Sequence, residues 1–364
     1  MDGDGLQDVV ASNALGKLGL WMNVGTATHP RFKVEVSAFV GAFGYFPSSS
    51  NLTANRSCEF VVRSNESVPS NLVLWRWSGS SFRVVTPSPF DSVTRLKDGT
   101  SLVFVDLDGD GDQDGLLADN DGGVSLMINS GFASVPQFTA ITAWSDVSNP
   151  FASPVLSIQS WQQRPSRVAL VADAEGINGN FSFVTSNGAG VMSLFQPTSI
   201  SDPPPYIQSL SSNGTSDTIG QIQVSSFASP ALADVDGDLR LDLVVGDGDG
   251  RLRMWSQQPN GDWREADHHW LPSLPPGSSE VVPALADLNA DSKPDLVVGN
   301  KDGSLTLFMN SGSDYVQSTL LQNVSVEGHA SPTFVDLDRD GDWDLVVGDA
   351  QGHLTTIVNT GNST

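Results

Sequence analysis

Hydrophobic positions along this chain gather into short runs. Each of the plainest runs follows a segment in which acidic side chains stand at every second position. Leu345-Val-Val-Gly348 follows Asp336-Leu-Asp338-Arg-Asp340-Gly-Asp342-Trp-Asp344, and the same nine-residue ladder appears as Asp106-Leu-Asp108-Gly-Asp110-Gly-Asp112-Gln-Asp114. Asp234-Val-Asp236-Gly-Asp238-Leu-Arg240-Leu-Asp242 runs into Leu243-Val-Val-Gly246, and Asp287-Leu-Asn289-Ala-Asp291-Ser-Lys293-Pro-Asp295 into Leu296-Val-Val-Gly299. Two degenerate copies fall into the same frame, Asn51 to Glu59 before Phe60-Val-Val and Ser160 to Val168 before Ala169-Leu-Val; these read as having kept the strand and lost the ligands. A seventh opens the chain, with Asp2, Asp4 and Asp8 at the third, fifth and ninth positions. The ninth positions are residues 8, 59, 114, 168, 242, 295 and 344, a period of roughly fifty residues with one long spacer.

Around each ladder the pattern predicts a strand before it (Ala330 to Val335 in the last copy), a second strand after it (Leu345-Val-Val), a tight Gly turn (Asp349 to Gly352) and a third strand (His353 to Val358). Most units add a fourth, such as Gln137 to Ile141 or Phe82 to Val85. A lone four-stranded sheet cannot bury both faces, whereas stacked copies can, so the fold class expected is all-β. The expected architecture is one seven-bladed β-propeller over residues 1–364, built of four-stranded antiparallel blades with calcium-binding hairpin loops. The units fall roughly at 1–40, 41–95, 96–147, 148–223, 224–277, 278–326 and 327–364. Met1 sits at the second loop position of the first unit, so its first ligand, and a strand closing the ring against the last unit, are expected upstream.

Carboxylates at this density repel one another unless a cation lies between them, and the hard cation that accepts flexible oxygen cages is calcium. The alternatives are narrower. An EF-hand needs a bidentate Glu at loop position twelve, which here holds Leu117, Val245, Val298 and Val347; cysteine-stapled calcium repeats are excluded by a single cysteine, Cys58. The remaining alternative is a solvated acidic turn.

The repeat Ser-Pro-x-x-x-Asp-x-Asp-x-Asp-Gly-x-x-Asp-Leu-Val-Val-Gly resembles the FG-GAP and VCBS repeats of integrin α-subunit propellers and related secreted proteins. The resemblance implies calcium held by the side chains at loop positions one, three, five and nine and by the carbonyl at seven. Carried over, the sets are Asp106, Asp108, Asp110, Asp112 and Asp114; Asp234, Asp236, Asp238, Arg240 and Asp242; Asp287, Asn289, Asp291, Lys293 and Asp295; Asp336, Asp338, Asp340, Asp342 and Asp344. Arg240 and Lys293 would contribute only carbonyls. About four Ca²⁺ sites follow, with a fifth at Asp2, Asp4 and Asp8.

Composition narrows the partners. Asp plus Glu number 42 against 18 Lys plus Arg, a net charge of -24, so neither nucleic acid nor an anionic membrane is sought by charge. No apolar run approaches the ~18 residues of a membrane span. An extracellular life, secreted or at the cell surface, is expected, and the sequons at Asn51, Asn55, Asn65, Asn180, Asn213, Asn323 and Asn362 suggest a glycoprotein if the host glycosylates. Catalytic motifs are absent and the clustered carboxylates are claimed by calcium, so no enzyme is expected. The function expected is adhesion or recognition of a glycan or an extracellular protein. A building block of a surface or cell-wall assembly, as part of a larger chain, is the alternative, and a polysaccharide-active enzyme a weaker one. Trp263 and Trp270, read as lying between strands, are the aromatic candidates for stacking on a sugar, whereas Trp21, Trp75 and Trp255 read as blade packing. The spacer from about Ala174 to Ser226 is either a functional loop or a linker.

Overall fold

The computed structural model describes residues 8–12, 18–25, 31–34, 45–50, 59–63, 72–78, 82–93, 99–105, 112–119, 124–131, 136–141, 167–171, 182–186, 190–197, 206–208, 222–259, 263–266, 270–337, 340–351 and 353–361. Asp2, Asp4, Asp106, Asp108, Asp110 and Asp338, and the sequons at Asn51, Asn55, Asn65, Asn180, Asn213 and Asn362, lie outside them. Every regular element among the described residues is a β-strand. None is a helix long and apolar enough to cross a membrane.

The chain divides into two compact units, 1–24 with 31–185 and 194–208, and 25–30 with 186–193 and 209–364. In the first, β1 (Val9–Ser12), β2 (Leu18–Asn23) and β3 (Phe32–Val34) make a three-stranded antiparallel sheet. Two four-stranded sheets follow, β4 (Tyr45–Ser50) to β7 (Phe82–Val84) through β5 (Glu59–Arg63) and β6 (Leu72–Trp77), and β8 (Gly99–Val105) to β11 (Phe138–Ile141) through β9 (Asp114–Asp119) and β10 (Val124–Asn129). A fourth runs in the order β12 (Arg167–Val171), β13 (Ser182–Ser186), β14 (Val191–Pro197), β15 (Tyr206–Gln208). Neighbouring sheets share apolar layers. Leu18, Leu20 and Met22 pack with Phe60, Val62 and Phe82. Val61, Leu72 and Leu74 pack with Phe90, Phe104, Met127 and Phe138.

In the second unit Gln223 and Ile222 of β16 (Ile222–Gln223) pair with Val191 and Met192. Three sheets with the same register follow: β17 (Ser229–Ala233) to β20 (Trp263–Glu265) through β18 (Asp242–Gly246) and β19 (Leu252–Gln257); β21 (Val282–Ala286) to β24 (Tyr315–Ser318) through β22 (Asp295–Gly299) and β23 (Leu305–Asn310); and β25 (Ser331–Val335), β26 (Asp344–Gly348) and β27 (Leu354–Ile357). The Leu-Val-Val runs are continuous because both faces of the second strand are covered; β18 and β22 are buried along their whole length. Pro230, Pro283 and Pro332 stand opposite Val245, Val298 and Val347 on the edge strand, the place where a missing N–H costs no ladder bond.

Successive sheets here are also tied through backbone. Glu280 N–H donates to Gly248 O (3.2 Å), Val281 N–H to Asp247 O (3.1 Å), His329 N–H to Lys301 O (2.7 Å) and Ala330 N–H to Asn300 O (3.0 Å). This approach explains the Gly that closes β18 and β22. A Cβ on Gly246 would lie 2.2 Å from Val281 O, and one on Gly299 2.3 Å from Ala330 O. Phe227, Glu280 and His329, each three residues before the strand proline, take positive φ of 52°, 47° and 46°, turning their connectors onto the preceding sheet.

The fourth repeat departs from the sequence reading. β12 is the edge strand of its sheet and packs beside β8, as β21 packs beside β17, so it takes the place of the strand before a loop, not after one. The turn at Gly190 between β13 and β14 matches Gly250 and Gly303, with positive φ in all three. Val168 is therefore not a ninth loop position, and the equivalent loop falls between β12 and β13. The registered Ala-Leu-Val run misled because a buried first strand can be as apolar as a second one.

Candidate metal centre

Each described acidic loop is built by its own side chains folding back onto backbone N–H groups. Asp234, the first position, accepts from Gly237 N (2.8 Å), Asp238 N (3.0 Å) and Leu239 N (2.9 Å), and Asp236 from Asp238 N (3.2 Å). The next loop repeats this with Asp287 accepting from Asp291 N (3.1 Å) and Ser292 N (2.7 Å), and Asn289 from Asp291 N (3.0 Å). In the last, Asp336 accepts from Gly341 N (3.2 Å) and Asp340 from Asp342 N (2.9 Å). These bonds hold positions four and six in the left-handed region, at Gly237 and Leu239 in one loop and Ala290 and Ser292 in the next. Leu, Ala and Ser rarely sit there, so the loop conformation overrides residue preference.

The ninth position, buried at Asp114, Asp242, Asp295 and Asp344 and half-buried at Asp8, anchors the loop to the strands. Asp295 accepts from Leu288 N (3.0 Å) and Asn310 N (2.8 Å), and Asp344 from Leu337 N (2.7 Å) and Asn359 N (2.7 Å). Asp114 accepts from Asn129 N (2.8 Å) and Asp8 from Asn23 N (2.7 Å). The fifth repeat has Gln257 where these have Asn. There Asp242 accepts from Val235 N (2.8 Å) and Asp236 N (3.2 Å) through Oδ2, while its buried Oδ1 meets no donor at good geometry. Asp336 Oδ1 is likewise buried and unmatched.

Asp234, Asp236 and Asp242 each offer an oxygen atom, all within 4.8 Å of one another. Burial pushes Asp242 up to about 7, against the downward pull of the Ser256 hydroxyl and the Val235 and Asp236 N–H groups. Burial raises Asp236 as well, followed by repulsion from Asp238. It also raises Asp295 and Asp344 against their backbone hydrogen bonds. Three converging carboxylates, two of them held above their usual range and one with an orphaned buried oxygen, fit a divalent cation. In the second repeat Glu59 holds the ninth position, and the Arg76 guanidinium is 2.6 Å away. A fixed side-chain cation answers the buried carboxylate where the other ligands are lost.

Other site candidates fall differently. Arg240 turns its guanidinium onto Asp238 and donates from Nε to Gln257 O (3.0 Å), so Asp238 stands apart from the Asp234, Asp236 and Asp242 cluster. Lys293 Nζ lies 3.8 Å from Asp291. Asp112 and Asp342 are half-buried. Asn323 is exposed.

The aromatic reading needs correction. Trp263 opens β20 and is only 5 % exposed, and Trp270 packs against the layer of Val235, Val244 and Met254. Strand position buries Trp263, and Trp270 is half-buried with its ring against that layer, so neither is an open stacking platform. A groove of about 670 Å³ instead lies beside β19 and β20, lined by Arg251, Arg253, Glu265, Asp247, Leu271 and Pro272 among others. Arg253 stacks 4.7 Å over Trp255 and bonds Glu265 through Nε and a terminal nitrogen (2.9 and 2.7 Å).

Residues 234–298 and 287–347 match the FG-GAP-like repeat family. No curated protein matches the chain. Among solved structures, the chain is similar to an Agrocybe aegerita lectin, described as recognising non-reducing terminal N-acetylglucosamine, at 16% identity and TM-score 0.57, covering 98% of this chain and 90% of that one. It is also similar to the periplasmic gluconolactonase PpgL of Pseudomonas aeruginosa at 14% identity and TM-score 0.54, covering 97% and 95%. Both neighbours are propellers. The chain is an all-β protein of antiparallel sheets that carries FG-GAP-like repeats in a propeller-type fold.

Proposed function

We propose that this protein is an extracellular recognition module, a seven-bladed propeller whose acidic loops hold calcium and whose side grooves bind glycans. The observation that carries the metal part is the convergence of Asp234, Asp236 and Asp242 with the orphaned Asp242 Oδ1. Asp287, Asn289, Asp291 and Asp295, and Asp336, Asp340 and Asp344, repeat its first, third, fifth and ninth positions as far as they are described. Bound calcium would supply the positive charge that the buried ninth carboxylates otherwise lack, tying the loop between the first and second strands of a blade.

Support for glycan binding comes from the groove and from the lectin among the structural neighbours. Arg253 and Glu265 present fixed donors and acceptors side by side, the pairing that adjacent sugar hydroxyls require, and the groove has the volume of a small-ligand site. Adhesion to a protein is the second form of the same reading.

A glycan array probed with the purified chain, in calcium and again in chelator, tests this. Calcium-dependent binding to a defined sugar class is expected. Arg253→Ala and Glu265→Ala should weaken it by about tenfold each. Silence in both conditions from folded protein would sink the glycan reading and move the weight to protein adhesion or assembly.

A further inference from the structure

The acidic loops of the second unit are joined to one another by side-chain hydrogen bonds. Asn310 closes β23 in the sixth sheet and donates from Nδ2 to Val235 O (3.3 Å), the carbonyl of the second loop position in the fifth repeat. One repeat further on, Asn359 donates from Nδ2 to Leu288 O (3.1 Å), again a second-position carbonyl in the preceding repeat. Both asparagines also use their backbone N–H on the ninth carboxylate of their own loop, Asp295 and Asp344. The second-position N–H groups close the chain, since Val235, Leu288 and Leu337 donate to Asp242, Asp295 and Asp344 (2.8, 3.0 and 2.7 Å). Hydrogen bonds thus run without a break from Asp242 through Val235, Asn310, Asp295, Leu288, Asn359 and Asp344 to Leu337.

Resting on the reading of these loops as cation sites, we infer that Asn310 and Asn359 are positioning residues that couple cation binding between neighbouring repeats. The physical reason is that each link is one residue bonded on both sides, Val235 and Leu288 through N–H to the ninth carboxylate of their own loop and through C=O to the asparagine of the next repeat. A cation that orders the loop 287–295 fixes Asp295, and Asp295 holds Leu288 through its N–H, which limits the backbone rotation that places the Leu288 carbonyl. The Leu288 carbonyl then fixes the Asn359 amide, and the Asn359 backbone N–H holds Asp344 in the orientation that its own cation needs. Ordering one loop therefore removes part of the entropy cost of ordering the next, which is positive coupling without any shared ligand. The remaining bonds of the asparagines support the geometry. Asn310 Oδ1 accepts from Gly312 N (2.8 Å) and Asn359 Oδ1 from Gly361 N (3.3 Å), and Asn310 Nδ2 also reaches Pro294 O (3.3 Å), so each amide is held in one orientation. Among the described loops with Asp at the ninth position, the one with Gln257 in place of this asparagine is the one whose ninth carboxylate keeps an orphaned oxygen.

The test uses the full chain and Tb³⁺ as the probe ion, with luminescence sensitised through Trp343, which lies inside the last loop and is 45 % exposed. The middle loop is disabled by Asp287→Asn with Asp291→Asn, and the link by Asn359→Ala, alone and combined, with circular dichroism confirming that each variant folds. Disabling the middle loop should weaken Tb³⁺ binding at the last loop about fivefold in the otherwise intact chain, the low end of usual coupling factors, and should leave it unchanged in the Asn359→Ala background. An equal shift in both backgrounds, or none in either while Tb³⁺ still binds, would overturn the coupling alone. No sensitised luminescence in any variant would overturn the cation reading on which it rests. Asn359→Gln, which retains an amide, should restore part of the shift if the amide donor matters and none if Ala only loosened the strand end.

Discussion

Asp242 is the residue on which the chemistry of the site turns, because it is buried among carboxylates and held up to about 7 when no cation is present. Its folded state therefore holds a proton more tightly than the unfolded chain does, and that contribution to stability is lost as pH rises from the ordinary carboxylate range towards 7. In chelator, the melting temperature is expected to be higher at pH 5 than at pH 7.5, and Asp242→Asn should shrink that difference; thermal melts of both proteins at the two pH values check it. Asp302 acts in the opposite sense. The Ser304 hydroxyl and N–H hold it below its usual value, so its contribution is lost only at more acid pH and does not disturb this window. Calcium should reverse the trend by making the ionised form of Asp242 the stable one. The first, third and ninth carboxylates were legible from spacing alone. The asparagine fifteen residues past four of the ninth positions was equally present in the sequence at Asn23, Asn129, Asn310 and Asn359, but nothing in a local window says that a strand end will reach the loop of another repeat.

Strands and loops account for most of what the repeat made legible and for what it hid. Leu-Val-Val-Gly and the acidic ladder gave the position of β18, β22 and β26 because each obeys a local rule. The fourth repeat was misframed at Val168, and Trp263 was placed outside a strand, because those readings depended on which apolar run pairs with which. Pairing is set by packing between sheets. The same packing makes a sharp contrast among glycines. A methyl on Gly299 would strike Ala330 O at 2.3 Å, whereas at Gly348 the nearest atom is Leu354 Cδ2 at 3.8 Å. Gly299→Ala should therefore cost about 1–3 kcal/mol and Gly348→Ala much less, read from denaturant unfolding of each variant. Leu345→Ala, removing a side chain from the layer it forms with Val297, Leu307 and Val347, should cost about 2–5 kcal/mol by the same measurement.

For the whole molecule, the acidic balance and the repeated loops describe one design. A chain of net charge -24 repels itself, and four divalent cations would remove about a third of that charge at the points where the carboxylates crowd. With a single cysteine in the chain, calcium-loaded loops rather than intrachain disulfides would tie first and second strands together. Fold class followed from repetition, which is why it was legible. The groove proposed for the glycan is assembled from Arg251, Arg253, Glu265 and a connector that occurs once, which no periodicity could announce. Calcium affinity is expected on the order of 0.1–1 mM, the range of extracellular modules. The most direct measurement is the melting temperature of the full chain at pH 7.5 in 5 to 10 mM calcium, roughly ten times the expected dissociation constant, against the same protein in chelator. The account predicts a fall of several degrees on chelation that is much smaller once Asp234, Asp236 and Asp242 are replaced together by Asn. An unchanged melting temperature would contradict the assignment of the loops to calcium.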